Sequence, residues 1–413
     1  MEVQKTSAKR NITAATRTPE LMEELVTEIL VRLPVKSLRR FESVCKAWRS
    51  TISDPVFIRA HLRRSASNWE QNPCFIINPH TMEQVIREEE CWAFSSHLCF
   101  YQWQLRPQHG TSSCENNNVA TFLHAKDFDG EFNSLAYFKH CDGLVFAPTD
   151  TRLYVFNPAT RESITLPDGY LNSLRVGGQG CCYCAGLGLD PGTGKYKVVQ
   201  AFYRSVDPDT NMWTDMGMEV FTIAGDDGGV WREIASNPPY PVVRSQTAVT
   251  VNGFLFWRIA KHHQERSRAI LHLSLEQEEF GITRLPDSLD PSLDVFILDV
   301  LCGRDLCLTA CTSVTVLTIW TLPVVKEGLI NSQWVRRYSI EVMGPWHTMS
   351  LPPFSDGIIL WAGDTVCCYD LATSELGILC ELHRMRYEEA PKWKNLFSFN
   401  FNPFTESLVR ITS

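Results

Sequence analysis

Apolar residues recur at helical spacing in one short stretch of the chain and at strand spacing after it. Leu21, Leu25, Ile29 and Leu33 fall four apart with Leu30 beside them, one stripe of a helix. Leu33-Pro34 ends that helix, because proline disfavours helical geometry at the residue before it. Ser37 is placed to cap a second helix, in which Leu38, Phe41, Val44, Cys45 and Trp48 recur at spacings of three and four. Asp54-Pro55 starts a third, short turn carrying Phe57, Ile58 and Leu62. Glu20, Glu23, Glu24 and Glu28 precede Arg32, Lys36, Arg39 and Arg40, the order that helix dipoles favour. Two amphipathic helices within about 45 residues cannot bury all these apolar groups among themselves. The surplus faces either a partner or the rest of the chain.

From Cys74 the period changes. Phe75-Ile76-Ile77, Gly143-Leu144-Val145-Phe146, Leu153-Tyr154-Val155-Phe156, Tyr196-Lys197-Val198-Val199 and Gly357-Ile358-Ile359-Leu360-Trp361 read as short strands. No long helix is expected after residue 70. A turn motif repeats between them: Asn or Asp, usually Pro, any residue, then Thr. It occurs at Asn78, Asn157, Asp190, Asp207, Asp370 and Asn402. Asn and Asp accept local backbone hydrogen bonds, and Pro presets the next φ. Six copies between short strands predict repeated antiparallel units, hence a propeller-like ring of about six blades. Residues 400–411 are expected to close the ring by adding a strand to the first blade.

Composition divides the chain at the same place. Residues 1–66 hold 13 basic and 7 acidic residues, net 13 − 7 = +6, and the remainder holds 26 and 40, net −14. The total of −8 excludes a globally basic nucleic-acid binder. Fifteen cysteines cannot all pair, and with no secretory pattern at the start they read as small buried hydrophobes in a reducing compartment. Residues 1–18 read as a disordered basic tail. The uncharged run 306–325 mixes Thr, β-branched and aromatic residues as strands do, so no membrane span is expected.

Candidate chemistry is sparse. Gly188 with Gly194-Lys195 has the wrong spacing for a phosphate loop, and Tyr196 stands where a Ser or Thr must hold magnesium. Cys181, Cys182 and Cys184, like Cys302, Cys307 and Cys311, lack the paired spacing of a zinc site. His262-His263 with Glu265 lacks the second histidine of a zinc-protease helix. No catalytic residue, metal or cofactor is expected.

The stretch 21–38, LMEELVTEILVRLPVKSL, resembles a plant F-box. So does its continuation through Val44-Cys45-Lys46-Ala47-Trp48-Arg49-Ser50, Ile52-Ser53-Asp54-Pro55 and Phe57 to His61-Leu62. Met22 stands where the family usually has Pro. Behind it, Cys141-Asp142-Gly143-Leu144, Phe156-Asn157-Pro158, Gly186-Leu187-Gly188-Leu189-Asp190-Pro191, Val251-Asn252-Gly253 with Phe256-Trp257, and Glu406-Ser407-Leu408-Val409 resemble the F-box-associated domain of plant F-box proteins, which is kelch-like. The resemblance implies a small all-α F-box at 19–65 followed by an all-β, propeller-like target-binding domain at 66–413. It implies a non-catalytic substrate-recognition subunit of a Skp–cullin–F-box ubiquitin ligase, resident in the nucleus and/or cytoplasm. Its partners would be the Skp-type adaptor, through it the cullin and RING subunits, and a protein target, with neither nucleic acid nor membrane involved. The adaptor-facing residues are expected to be Leu21, Leu25, Ile29, Leu30, Leu33, Pro34, Leu38, Val44, Cys45 and Trp48. For the target, residues 204–218 are expected to form a long loop presenting Asp207, Asp209, Met212, Trp213 and Asp215, with Met216 and Met218 alongside. Acids steer an encounter and Met and Trp adapt to varied apolar surfaces. The alternatives are an enzyme with a site in the central channel of a propeller, which needs carboxylates or histidines converging from several blades, and a scaffold that binds the adaptor without a cullin.

Overall fold

A computed structural model describes residues 22–69, 72–84, 92–105, 119–128, 138–149, 152–169, 184–206, 213–225, 229–243, 246–260, 263, 267–290, 295–301, 304–311, 315–324, 333–352, 357–389, 393 and 395–411. Helices come first: α1 (Glu23–Leu30), α2 (Val35–Phe41), α3 (Lys46–Ser53) and α4 (Pro55–Trp69). The single helix expected from Ser37 to Trp48 is two, because the chain turns at 42–45. Cys45 is extended there (φ −156°), and its Sγ accepts the Trp48 N–H at 3.4 Å, so Cys45 caps α3. Asp54 Oδ1 accepts the Val56 N–H at 2.6 Å, and the expected short turn runs on for 15 residues as α4. Trp69 ends that helix. Its indole N–H donates to the Cys74 carbonyl at 2.7 Å and its ring packs edge-on against Phe75, which ties the helices to the first strand.

The first sheet contains β1 (Cys74–Gln84), β2 (Trp92–Phe94), β3 (His97–Gln104) and β4 (Val119–Asp127). The second is β5 (Lys139–Cys141), β6 (Leu144–Pro148), β7 (Leu153–Asn157) and β8 (Glu162–Thr165). The third is β9 (Ala185–Leu189), β10 (Tyr196–Val206), β11 (Trp213–Thr222) and β12 (Arg232–Glu233). The fourth is β13 (Val249–Val251), β14 (Phe254–Arg258), β15 (Ala269–Ser274) and β16 (Phe280–Arg284). The fifth is β17 (Val295–Leu301), β18 (Asp305–Cys311), β19 (Val316–Pro323) and β20 (Val335–Glu341). The sixth is β21 (His347–Ser350), β22 (Ile358–Ala362), β23 (Thr365–Tyr369) and β24 (Leu376–Glu381). Two later strands return to the first sheet: β25 (Arg386–Tyr387) lies parallel to β4, and β26 (Leu396–Pro403) lies antiparallel to β1.

The result is a six-bladed propeller. Strands β5, β9, β13, β17 and β21 are each the first of their blade and neighbour one another around the axis. In the first blade β26 takes that place, pairing from Phe75↔Pro403 to Thr81↔Leu396. The ring closes through both chain ends, as expected, but with residues 396–403; beyond Pro403 the chain leaves the sheet. Apolar side chains fill the space between successive blades. Phe75, Trp103, Trp361 and Phe401 join the last blade to the first, and Phe256, Ile270, Phe296, Leu308 and Trp320 join the fourth to the fifth. The run 306–325 is largely β18 and β19, and among the described residues no helix is long and apolar enough to cross a membrane.

The turn motif divides. Asn157, Asp190 and Asp370 each accept two following backbone N–H groups through Oδ1, and each sits between two strands of one blade. Gly188, Gly194 and Lys195 belong to the β9 and β10 hairpin, a strand connection. Asn78, expected in a turn, lies inside β1, where its amide donates to the Cys99 carbonyl at 2.8 Å across the sheet. Asn402-Pro403 ends β26, and Asp207 lies outside the described residues.

Candidate functional site

Blade topology gives the ring two unlike faces. Strands alternate in direction, so first-to-second and third-to-fourth turns lie on one face. Second-to-third turns and blade-to-blade connections lie on the other. The helices pack on the first face. Ala159, in the third-to-fourth turn of the second blade, touches their core. Residues 404–411 run between helices and ring, held from both sides. On the ring side, Asn157 Nδ2 donates to the carbonyls of Ser407 and Val409 at 3.0 and 2.9 Å, and the Ile411 N–H donates to Glu162. Gly143, at φ +82°, lies so close that a Cβ there would stand 2.5 Å from the Thr405 carbonyl oxygen. On the helix side, Glu406 accepts the Val35 N–H at 3.0 Å, in the first turn of α2 where backbone donors lack helical partners. Arg410 donates to Ser53 at 2.8 Å and pairs with Glu42 at 3.3 Å. Leu408, 3% exposed, completes a cluster with Leu30, Val35, Leu38, Ile52 and Phe57.

That cluster corrects two expectations. Leu30 and Leu38 are 1% and 0% exposed and face the helices' own core, so neither is available to a partner. Stripe periodicity marks an apolar face without saying what covers it. Leu25 (47%), Ile29 (50%) and Val44 (59%) remain exposed together with Met22 (64%). Pro34 and Cys45 are exposed as well, while Leu33 and Trp48 are half-buried, Trp48 with its ring 5.3 Å from Phe41. Leu21 lies outside the described residues. Glu406, Leu408 and Arg410 seat the helices, a role the sequence does not signal: the tail's pattern predicts a closing strand, and nothing local in it marks a turn toward the helices.

The expected loop at 204–218 is mostly a hairpin. Strands β10 and β11 stay paired out to Val206↔Trp213, so Trp213 and Asp215 are strand residues. Met216 and Met218 are buried between the third and fourth blades and offer no adaptable surface. Asp207, Asp209 and Met212 lie outside the described residues. The hairpin is a second-to-third connection, on the face away from the helices.

Around the axis, first strands from three blades bring charges together. Asp299 of β17 accepts from His347 of β21 at 3.0 Å and lies 3.9 Å from the Lys139 ammonium of β5. Burial opposes ionisation of Asp299, yet His347, Lys139 and the Thr348 N–H together hold its carboxyl below the usual range. The second and fifth blades are opposite in a ring of six, so this cluster crosses the axis. Its members are engaged with one another.

A helical unit seated by a strap on one face of a closed propeller is the architecture of an F-box protein with a propeller for its second domain. The chain belongs to the F-box associated β-propeller family. Residues 92–350 match the F-box associated beta propeller domain, and residues 20–60 match the F-box domain. Similar proteins from Arabidopsis thaliana include the F-box/kelch-repeat protein At3g23880, 26% identical over 83% of this chain and 82% of that one. F-box protein At5g10340 is 28% identical over 78% and 70%, and F-box/LRR-repeat protein At2g43260 is 26% identical over 78% and 68%.

Proposed function

We propose that this chain is the substrate receptor of a Skp–cullin–F-box ubiquitin ligase and performs no bond chemistry itself. The observation that carries the reading is the exposed group Met22, Leu25, Ile29 and Val44 on a helical unit whose opposite side is fixed to the ring. An apolar patch of this kind in a unit too small to cover it is what a docking partner covers. With Pro34, Cys45 and the exposed parts of Leu33 and Trp48 it forms the proposed seat of the Skp-type adaptor, which brings the cullin and RING subunits. The protein target would sit on the far face, where the second-to-third connections project. Held there, it shares a high effective concentration with the charged conjugating enzyme, the rate contribution open to a non-catalytic subunit. The nucleus and/or cytoplasm is the compartment this role requires.

The test is co-purification of the full chain from plant tissue, comparing wild type with Leu25→Asp/Ile29→Asp. Wild type should bring down adaptor and cullin. The double variant should lose both while melting as the parent does, since both side chains are exposed. Adaptor retained at wild-type levels by the variant would sink the docking patch. Adaptor without cullin in the wild type would leave only a scaffold.

A further inference from the structure

Two cations of the ring, buried Lys197 and exposed Arg268, have acceptors close by. Lys197 donates to Asp190, Glu278 and the Leu275 carbonyl at 2.7 to 2.9 Å. Arg268 donates to the carbonyls of Leu289 and Asp287. Arg258 differs. It is the last residue of β14, and its guanidinium lies over the Phe296 ring of the next blade, 4.5 Å from the centroid. Its Nε is buried without a hydrogen-bond partner, and its guanidinium pairs with no carboxylate among the described residues. The backbone holds it in place: its carbonyl accepts the Val243 N–H at 2.9 Å, and it pairs with Ile270 across the sheet. Burial lowers its pKa from the ordinary value, but an arginine stays charged in a protein. A half-buried charge with unfilled donors is costly unless something supplies the acceptor.

Position says what could supply it. β14 is the second strand of its blade, and Arg258 ends it at the face away from the helices. Phe296 is the second residue of β17, at its end on the same face. A guanidinium backed by an aromatic ring presents its edge donors in a planar fork that fits two oxygens of one group. We propose that Arg258 is an oxyanion-recognition subsite that takes a carboxylate or phosphoryl group from a target segment on the far face of the ring. The target part of this inference rests on the receptor reading; the anion site itself does not, and its test needs no adaptor.

The full wild-type chain is treated with phenylglyoxal, which modifies free guanidinium groups, and Arg258 is followed by peptide mass spectrometry. The probes are malonate and O-phospho-L-serine, each at constant ionic strength, with exposed Arg32 as the reference residue. Arg258 should be modified, and a probe at twice its dissociation constant should slow that modification about threefold while Arg32 reacts unchanged. Protection by malonate points to an acidic side chain of the target, and protection by phosphoserine alone to a phosphorylated one. An Arg258 that does not react is sealed by its own neighbours, and one that reacts equally with and without both probes binds no oxyanion; either result overturns the proposal.

Discussion

Leu408→Ala tests whether the strap seats the helices. Leu408 is 3% exposed in a cluster whose other buried members among the described residues are Leu30, Val35, Leu38, Ile52 and Phe57. Truncating a buried leucine costs about 2–5 kcal/mol, depending on how far the surroundings collapse. The site is bounded by β-sheet on one side, which cannot follow, so about 3 kcal/mol is a fair expectation. A helical unit of this size has little stability of its own, so the loss should be local to it. Hydrogen exchange read by mass spectrometry resolves this. Amides of α2 and α3 should exchange roughly a hundredfold faster, since each 1.4 kcal/mol is a factor of about ten. Amides of β14 and β15 should not change. Val409→Ala is the control: that side chain, 7% exposed, packs in the ring cluster with Leu144 and Phe146. Unchanged exchange in α2 and α3, or equal acceleration in helices and ring, would refute the seating argument.

Two further outcomes follow from buried polar groups. Lys197→Met leaves Asp190, whose side chain is 2% exposed, beside Glu278 without their shared cation, and should cost about 3–5 kcal/mol in a urea melt; a loss under about 1 kcal/mol would show the pair is not needed. Burial pushes His80 from 6.5 down to about 4, and Asn400 Nδ2 donates to its Nε2 at 2.7 Å, a bond only the neutral ring accepts. Below pH 6.5 the unfolded chain therefore binds a proton that the folded chain lacks. Stability from this group should fall as pH drops from 6.5 to about 4, by about 1.4 kcal/mol per unit, and the stability gap between wild type and His80→Gln should narrow over that window. A gap that stays constant would mean that His80 does not titrate there.

Ring architecture was legible because it is local and repeated. Asn157, Asp190 and Asp370 mark turns through their own side chains, and Asp142-Gly143 and Asn252-Gly253 supply the positive φ values that two-residue hairpins require. Asn78 misled because the same residue types serve inside a strand when the amide finds a carbonyl across the sheet. The helical apolar stripe was legible as a stripe only. Leu25 and Ile29 share it with Leu30 and Leu33, and which of them faces out depends on Leu408, nearly 380 residues later. The loop at 204–218 misled because its acids and methionines read as solvated, whereas Met216 and Met218 alternate into a core between blades. No periodicity rule could have separated long hairpin from long loop there, since both begin and end in strands.

Strand parity carries the last step. The second to sixth blades have four strands each, so the chain enters and leaves each of them on the same face, and the helices sit on the other. The chain passes from α4 into β1, the second strand of the first blade, and it leaves β26, the first strand, on the helix side. Both ends of the propeller therefore emerge beside the helical unit, which is why one short segment can close the ring and then reach α2 through Glu406. The same parity sends the second-to-third connections, such as the one between β14 and β15, to the opposite face. Substitution or lengthening there changes what the ring can hold without touching Leu25, Ile29 or the strap. Under the proposed receptor reading, the surface that holds a target can therefore change without disturbing the one that docks the adaptor.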